Sequence, residues 1–457
     1  MTDRKEIIAA ISRRLGHRDL IWCGLRADDI EAISDLKQVS GSFSMIGGHE
    51  RGGAIPSLID YEDISGVRVD LDQWDIEDHL DEPPAHEFRD AILKYLATPT
   101  ALLPYRPSNF ISSILFARRD RCIDLGLFGS HQTIFEHKPW VETNVEALGL
   151  PRVPWIYIAD EERSKARRLL AEGPIMLRVS RSSGGAGLVK VDSPETLEAN
   201  WPYRPEAFVS VTPFLRDVIP INIDATVWRD GITMHRPSAQ LIGIPRCTTR
   251  PFGYCGNDFA MAADLDAQTL DSIEASVRAL GNWLRQYNYI GTFGVDFLVH
   301  QGVPLFTEIN PRFQGSTHAS SQLSSEAGES CVILDHLAAA LGVEAPQRRP
   351  LREMSTGRAP LAHLVIHWVG EPAHLRSGPL VAALVKLPQV CRVDLAAKPN
   401  VLTTTGGTVA RVTVRNQITT TGFALLDPWA AMVDDAIQVE TARGFAGSLG
   451  EEDCDAI

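Results

Sequence analysis

Two carboxylates and an amide occur close together in the sequence, with a spacing that suits a metal site. Asp296 lies in the apolar run GTFGVDFLV, and Glu308 and Asn310 lie in the following segment TEINPRFQGS. Side chains alternate between the two faces of a strand, so Glu308 and Asn310 point the same way. Carboxylate and amide oxygens are the ligands that Mg²⁺ prefers. These residues therefore indicate a magnesium site, although an ordinary hairpin whose acids face water has the same pattern.

A β-hairpin must position these side chains. The β-prone residues before His300 and the segment that ends at Asn310 predict its two strands, with a turn between them. A three-residue loop sets Asp296 opposite Glu308, whereas a two-residue loop puts them on different faces. Gly302 is compatible with the longer loop, residues 301–303, and the sequence leaves both loop lengths open. Two buried carboxylates at this distance repel each other unless a cation lies between them or one holds a proton.

A glycine-rich segment upstream, PIMLRVSRSSGGAGLVKV, predicts a second hairpin. Its loop is flanked by the expected strands Ile175–Val179 and Leu188–Val191. Glycines let the backbone approach an anion and offer N–H groups to it, and Arg178 lies just before the loop. The segment is not a Walker A loop, because no Gly-Lys-Ser/Thr follows, nor a Rossmann fingerprint, because a strand follows it. By itself it is equally typical of a flexible turn.

In combination and in order, the two segments resemble the ATP-grasp superfamily of ligases. The resemblance covers about Phe135 to Leu341 and is strongest in the string EINPR. It implies that ATP is held between two lobes, a first with the glycine-rich flap and a second with the metal-binding hairpin. It also implies that Asp296, Glu308 and Asn310 bind Mg²⁺. Two Mg²⁺ ions are expected, and Mn²⁺ can replace them.

The resemblance assigns further residues to ATP. Arg312 is expected to contact the transferred phosphate or an acyl phosphate, and Arg178 to assist it. Arg178 stands where most members carry a lysine, a departure that still permits bidentate contact with phosphate. Gln240 matches a polar position near the ribose or substrate in some members, or is an exposed strand glutamine. The nucleotide-binding residues implied in this way are Lys138, Arg178, Ser183, Gly184, Gly185, Gly187, Val209, Val211 and Gln240.

The element pattern predicts an α/β and α+β multidomain fold, and a length of 457 residues suits about three domains. At the start of the chain, Asp19–Gly24 and Ser42–Gly48 are expected strands. A Pro- and Arg-rich linker is expected at 344–360. The expected units are an N-terminal α/β domain at 1–130, the first ATP-grasp lobe at 131–206, the second lobe at 207–343, and a separate β-rich α+β domain at 361–457.

Composition excludes several other classes. The formal net charge of −14 argues against nucleic acid or an anionic membrane as partner. The sequence has no apolar run long enough to span a bilayer and no secretory signal. Its seven cysteines have neither CxxC nor zinc spacing, which suits a reducing cytoplasm. We expect small-molecule carboxylate and amine substrates. The sequence is compatible with a homodimer.

The ATP-grasp resemblance implies an ADP-forming ligase that joins a carboxylate to an amine through an acyl phosphate, on amino-acid-like substrates. Two alternatives are a biotin-carboxylase-like enzyme that activates bicarbonate and a non-catalytic ATP-binding module. Carboxylases carry a glutamate where this chain has Ser316, and the chain has no Met-Lys-Met biotin site. The intact metal ligands argue against the module. Candidates for contact with substrate are Arg246, Arg250, Arg312 and Asn257.

Overall fold

The computed structural model describes residues 4–48, 55–126, 132–179, 184–201, 208–355, 360–427 and 429–447. Across these ranges, no helix combines the length and the apolar character needed to cross a bilayer.

The N-terminal unit is a five-stranded parallel sheet with helices, as the alternation of short apolar strands and helices predicts. The strand order is β3-β2-β1-β5-β6, so the chain leaves β1 first toward one edge and then toward the other. The elements are α1 Arg4–Leu15, β1 Asp19–Arg26, β2 Val39–Ile46, β3 Ser57–Asp60, α2 Tyr61–Ser65, β4 Val67–Arg68, α3 Pro83–Tyr95, β5 Thr100–Pro104, α4 Asn109–Ala117 and β6 Cys122–Asp124, with 3-10 helices at Ala27–Ile33 and Ile76–Asp78.

The first lobe is a four-stranded antiparallel sheet of order β7-β10-β8-β9. Its glycine-rich hairpin is formed as expected, with Arg178 paired to Leu188 next to the loop. The elements are α5 Gln132–Phe135, α6 Lys138–Ala147, β7 Ile156–Ala159, α7 Arg163–Glu172, β8 Ile175–Arg178, β9 Leu188–Val191, α8 Pro194–Asn200 and β10 Phe208–Pro213, with a 3-10 helix at Asp160–Glu162.

The second lobe is built on antiparallel strands covered by the long helix α10. Apolar residues at helical spacing, among them Ile273, Val277, Leu280 and Leu284, form the buried face of that helix. The elements are β11 Val218–Val227, β12 Ile232–Met234, β13 Ser238–Ile242, β14 Tyr254–Asp258, α9 Phe259–Ala262, α10 Ala267–Gln286, β15 Gly291–His300, β16 Val303–Asn310, α11 Thr317–Glu326, α12 Val332–Ala340 and α13 Leu351–Ser355.

The C-terminal segment does not form a sheet of its own, contrary to the expectation of a separate β-rich unit. Three of its strands continue the sheet of the second lobe, which has the order β16-β15-β11-β13-β14-β17-β21-β19, with β12 paired to β11. A further strand, β20, lies between β18 and the N-terminal β4. The exact domain boundaries stay a prediction. The C-terminal elements are β17 Ala362–His367, β18 Ala373–His374, α14 Gly378–Leu384, β19 Val390–Asp394, β20 Leu402–Thr403, β21 Thr408–Val414 and α15 Trp429–Gly447.

Asp258 and Arg411 show how tightly this segment is held. The carboxylate of Asp258 accepts the backbone N–H groups of Ile418 at 2.7 Å and Thr419 at 3.2 Å, which fixes the loop after β21. Arg411 on β21 is 2% exposed. Its guanidinium forms ion pairs with Asp28 at 2.5 Å and Asp29 at 2.7 Å, in the 3-10 helix that follows β1. The first and last parts of the chain are therefore joined by a buried ionic cluster.

We predict that Arg411→Met destabilises the protein by roughly 3–5 kcal/mol, because it leaves two largely buried carboxylates without their partner. Urea unfolding followed by circular dichroism measures this loss. Arg415→Met is the matched control, since it removes a partly exposed pair with Glu326 and should cost at most about 1 kcal/mol. Equal unfolding midpoints for the two variants would contradict the role given to Arg411.

Candidate active site

A cavity of about 740 Å³ opens between the two lobes and the N-terminal unit. Its size is within the range of sites that enclose a small-molecule ligand. Its wall is built by β1 and the segment after β5, the glycine-rich hairpin, the strands of the second lobe, and the loop after β21. Predicted site residues among those that line it are Lys138, Arg178, Gly184, Gly185, Gln240, Asp296, Glu308, Asn310 and Arg312.

The hairpin β15–β16 has a two-residue turn, the shorter of the two loop lengths that the sequence left open. Gln301 and Gly302 form that turn with positive φ angles of 51° and 79°. Asp296 nevertheless pairs with Glu308, because the register shifts between Asp296 and Phe297. The extra residue on β16 is Thr307, whose hydroxyl donates to the Asp296 carbonyl at 2.9 Å. A β-bulge thus restores the pairing that the short turn alone would remove.

The paired carboxylates lie among cationic and amide groups. Asn310 Nδ2 donates to Asp296 Oδ2 at 3.1 Å, and Lys138 Nζ lies 3.0 Å from Glu308 Oε2. Burial and the charge of Glu308 raise the pKa of Asp296 to about 7. Burial also acts to raise the pKa of Glu308, but Lys138 and Arg312 together hold it below its ordinary value.

This donor set fits a hard cation. Asp296 and Glu308 offer carboxylate oxygens, and the Oδ1 atom of Asn310, which accepts from Arg312 Nη2 at 3.0 Å, offers an amide oxygen. A cation between the two acids would remove the repulsion that raises the pKa of Asp296. In the described part of the chain, no cluster of three or more His, Cys, Asp or Glu residues forms a metal site, so the amide is an essential member of this set.

Two amides from other strands support Asp296, and the sequence did not reveal this role. Asn222 on β11 and Gln240 on β13 both donate to Asp296 Oδ1, at 2.5 Å and 3.2 Å. Gln240 is half-buried at the cavity wall and is not an exposed strand glutamine. Its contact with Asp296 makes it a positioning residue for the carboxylate.

A second carboxylate network lies beside the first and was also missed from the sequence. Asp224 is buried on β11, and burial raises its pKa to about 6. It accepts the Thr317 hydroxyl at 3.0 Å, while Ser316 Oγ lies 2.6 Å from Asn222 Oδ1. Gln314 crosses over β15 to join this network, and a Cβ atom at Gly294 would overlap its side chain. Ser316 is therefore bound into a polar network at the cavity wall.

Arg178 is held by two partners that the sequence pattern did not identify. Its guanidinium pairs with Glu142 of α6 at 2.6 Å and stacks 4.0 Å above the ring centroid of Trp155. Tyr157 donates a hydrogen bond to the same carboxylate. A planar guanidinium can stack and pair at once, whereas an ammonium is a point charge. The surroundings of this position are thus adapted to arginine.

The glycine-rich loop reaches the cavity at two of its predicted residues. Gly184, Gly185 and Gly187 all have positive φ, between 54° and 75°. Gly184 and Gly185 line the cavity, and a Cβ atom on Gly185 would lie 1.8 Å from the carbonyl of Phe252 in the second lobe. Gly187 packs against Val179 instead. Ser183 lies outside the described residues.

The family resemblance implies that the hinge strand β10 meets the nucleotide through its backbone, so its side chains need not reach the cavity. Val209 and Val211 are buried in the hydrophobic core of the first lobe. Thr212, Pro213 and Phe214, which follow on the chain, line the cavity. The alternating apolar side chains of β10 face the core because burying them is favourable.

Two candidate substrate arginines already have partners. Arg250 pairs with Asp70 at 3.1 Å and with Asp72 at 2.5 Å, and Arg246 pairs with Asp434 at 3.1 Å. Neither of these arginines lines the cavity.

Asn257, by contrast, lines the cavity and accepts the Tyr254 hydroxyl at 2.5 Å. It also donates to Ser238 Oγ at 2.9 Å. Asn257 remains a candidate for substrate contact.

Comparison with known proteins identifies the fold. The sequence model of the ATP-grasp domain family matches residues 209–316. Similar solved structures include N5-carboxyaminoimidazole ribonucleotide synthetase from Thermus thermophilus, at 14% identity and a TM-score of 0.54 over 93% of this chain and 98% of that one. Another is a biotin carboxylase–ATP complex from Campylobacter jejuni, at 13% identity and a TM-score of 0.59 over 87% of each chain.

A third similar structure is the biotin carboxylase domain of Hydrogenobacter thermophilus 2-oxoglutarate carboxylase with MgADP, ADP and bicarbonate. It is 12% identical, with a TM-score of 0.55 over 87% of this chain and 86% of that one. No curated protein matches the sequence. The chain contains an ATP-grasp domain and has the ATP-grasp fold, so the predicted fold class is confirmed.

The placement of Gln240 predicts a weaker metal site in the variant Gln240→Leu. Loss of the hydrogen bond to Asp296 frees that carboxylate to turn, and we expect the affinity for Mn²⁺ in the presence of ADP to fall roughly 10-fold. Electron paramagnetic resonance titration of Mn²⁺ measures this directly. Gln322→Leu, at a half-buried residue of α11 that contacts Glu326, is the control and should bind Mn²⁺ as the wild type does. Equal affinity in both variants would remove Gln240 from the site.

Proposed function

We propose that the protein is an ADP-forming carboxylate–amine ligase that uses ATP and Mg²⁺. The observation that carries this proposal is the convergence of Asp296, Glu308 and Asn310 with Lys138 and Arg312 on one cavity. Oxygen ligands for a hard cation and fixed positive charges are the groups that phosphoryl transfer requires. The ATP-grasp fold supports the same reaction class.

The cavity has an apolar region that suits a nucleotide base. Its walls there come from both lobes, and Arg178 extends over the ring of Trp155 at its edge. The end of β10 adjoins the cavity, since Thr212 and Pro213 also line it. The apolar residues that line this region are Val153, Trp155, Met176, Leu188, Phe214 and Leu298.

Polar groups adjoin this region and suit the phosphates. Positive φ at Gly184 and Gly185 keeps the loop backbone close to the cavity, where N–H groups can meet an anion. Lys138 and Arg312 add positive charge near Glu308. Mg²⁺ held by Asp296, Glu308 and Asn310 would neutralise charge on the phosphate oxygens.

The proposed reaction has two steps. A carboxylate oxygen of the substrate attacks the γ-phosphorus of ATP, the bond from that phosphorus to the β–γ bridging oxygen breaks, and ADP leaves. The amine nitrogen then attacks the acyl carbon, the bond to the phosphate oxygen breaks, and the amine loses a proton. Arg312 lies in the cavity where it can stabilise the phosphate in both steps. Gly185 in the glycine-rich hairpin lines the cavity and lies close to Phe252 of the second lobe, where the hairpin can help to keep water from the acyl phosphate.

The bicarbonate-activating alternative has one observation in its favour, the structural likeness to two biotin carboxylases. Against it, the position where carboxylases carry a glutamate is Ser316, which is bound into the network of Asn222 and Asp224. A serine hydroxyl held in this way is a poor general base. We therefore favour an amine as the acceptor and amino-acid-like molecules as substrates.

Location and assembly remain proposals. The six cysteines in the described parts of the chain are free thiols, which supports the cytoplasm as the proposed compartment. A homodimer stays a prediction.

The proposed function is tested by incubating the protein with Mg-ATP and a pooled panel of amino acids, other small acids and amines, with and without bicarbonate. ADP and phosphate release is followed, and products are identified by mass spectrometry. A new mass equal to two substrates less water supports ligation. ADP release that depends on bicarbonate alone supports the alternative. Failure to bind Mg-ATP in an equilibrium titration would overturn both.

We predict that Glu308→Ala abolishes ADP release, with a loss of more than roughly 100-fold, because it removes a carboxylate from the phosphate-binding metal site. The unfolding midpoint should stay close to that of the wild type, which separates a lost site from a lost fold. Glu326→Ala removes a more exposed acid that pairs with Arg415 and serves as the control. Wild-type rates in Glu308→Ala at saturating Mg²⁺ would refute the metal assignment.

A further inference from the structure

Arg26 occupies a distinctive place in the N-terminal sheet. It is the last residue of β1, and β1 lies between β2 and β5 at the point where the strand order reverses. In open parallel sheets, the crevice at the carboxyl ends of the strands beside such a point is the usual ligand site. Here the crevice is continuous with the candidate active site, because Arg26 and Tyr105 both line the same cavity.

The guanidinium of Arg26 is buried without a partner of its own. The residue is only 7% exposed, and its Nε atom is buried without a hydrogen-bond partner. Among the described residues, its side chain forms no hydrogen bond or ion pair. The neighbouring acids Asp28 and Asp29 are paired with Arg411 instead. A buried charge without a partner is unfavourable, so this arrangement calls for an anion from outside the chain.

Three other arginines that line the cavity have partners, and a fourth, Arg216, is exposed to solvent. Arg106 pairs with Asp75 at 2.6 Å, and Arg178 pairs with Glu142 at 2.6 Å. Arg312 donates to Asn310 Oδ1 at 3.0 Å and lies 3.7 Å from Glu136. Arg26 is thus the most buried cationic group at the N-terminal wall that has no hydrogen-bond or ion-pair partner in the described structure.

We propose that Arg26 binds an anionic group, a carboxylate or a phosphate monoester, on the substrate of the ligase reaction. This anionic group is separate from the carboxylate and the amine that react. The proposal rests on the proposed function. Both anions match the planar fork of donors that a guanidinium presents. Leu25, Leu71 and Phe423 line the same cavity, which therefore also offers apolar surface to the body of the substrate. The substrate class is therefore an acid with a second anionic group, such as an acidic amino acid or a phosphorylated small molecule.

The test uses the intact protein saturated with Mg²⁺ and a non-hydrolysable ATP analogue, so that the phosphate site of the nucleotide is filled. Inorganic phosphate and glutarate are the two probes, titrated separately by isothermal calorimetry. We expect wild-type protein to bind at least one of them, and Arg26→Met to bind it roughly 10- to 100-fold more weakly. Arg26→Lys, which keeps the charge but loses the fork, should fall between them. Arg106→Met is the matched control at the same wall and should change the affinity by less than about threefold.

The outcomes separate this inference from the proposed function. Binding of the ATP analogue tests the function, and it should be unchanged in Arg26→Met, which also shows that the variant is folded. If the analogue does not bind, the same anion titration on the nucleotide-free protein still tests Arg26. Preference for phosphate or for glutarate identifies which anion the substrate carries. If neither probe binds the wild type, or if wild type, Arg26→Lys and a folded Arg26→Met bind equally, the inference is overturned.

Discussion

The constraint on which the site depends is the placement of two acidic side chains face to face inside the protein. Asp296 and Glu308 are cross-strand partners in one hairpin, and burial together with the charge of Glu308 raises the pKa of Asp296. Such a pair is unfavourable unless surrounding groups compensate it. Lys138 compensates Glu308 from helix α6, and amides of Asn222 and Gln240 donate to Asp296 from two other strands. Groups from several elements therefore surround the carboxylate pair, but the two acids still repel each other. This is the arrangement expected of a cation site.

The part of the cavity wall formed by Arg26 and the loop after β21 depends on a different interaction. Arg26 is placed by β1, and the next two acids along the chain are held by Arg411 from the C-terminal strand β21. The loop after β21, which supplies Thr421 and Phe423 to the cavity, is in turn held by Asp258. The N-terminal and C-terminal parts of the chain therefore meet at this wall of the cavity. A change in either part would alter the shape of the wall while leaving the hairpin β15–β16 in place.

The sequence was informative where chemistry depends on local spacing. The hairpin β15–β16, the glycine-rich hairpin and the parallel N-terminal sheet were all predicted, because alternation and turn residues are local signals. The sequence left the length of the β15–β16 turn open, since the bulge at Thr307 adds a residue that no sequence mark distinguishes from an ordinary strand threonine. The side chains of Val209 and Val211 pack in the core, so contact of these residues with a nucleotide would be through their backbone groups.

Contacts between distant segments could not be predicted in this way. Gln240 reaches Asp296 across the intervening strand β11, and Glu142 reaches Arg178 from a helix. The expected first strand ended at Gly24, two residues before β1 ends, so Arg26 was not recognised at the sheet edge. The inference about Arg26 depends on the burial of its side chain and on the lack of a hydrogen-bond partner for its Nε atom. Both are properties of the folded chain.

The charge distribution also explains how an acidic protein can accommodate anionic ligands. The net charge of −14 belongs to the whole chain, and the field of its exposed charges is screened within about 8 Å at physiological ionic strength. Lys138, Arg178, Arg312 and Arg26 line the cavity and are largely buried, so they would lie close to an anion bound there. Charges at such short range are screened much less than those on the surface. The local cations therefore dominate binding, and the acidic exterior affects mainly the rate at which an anion arrives.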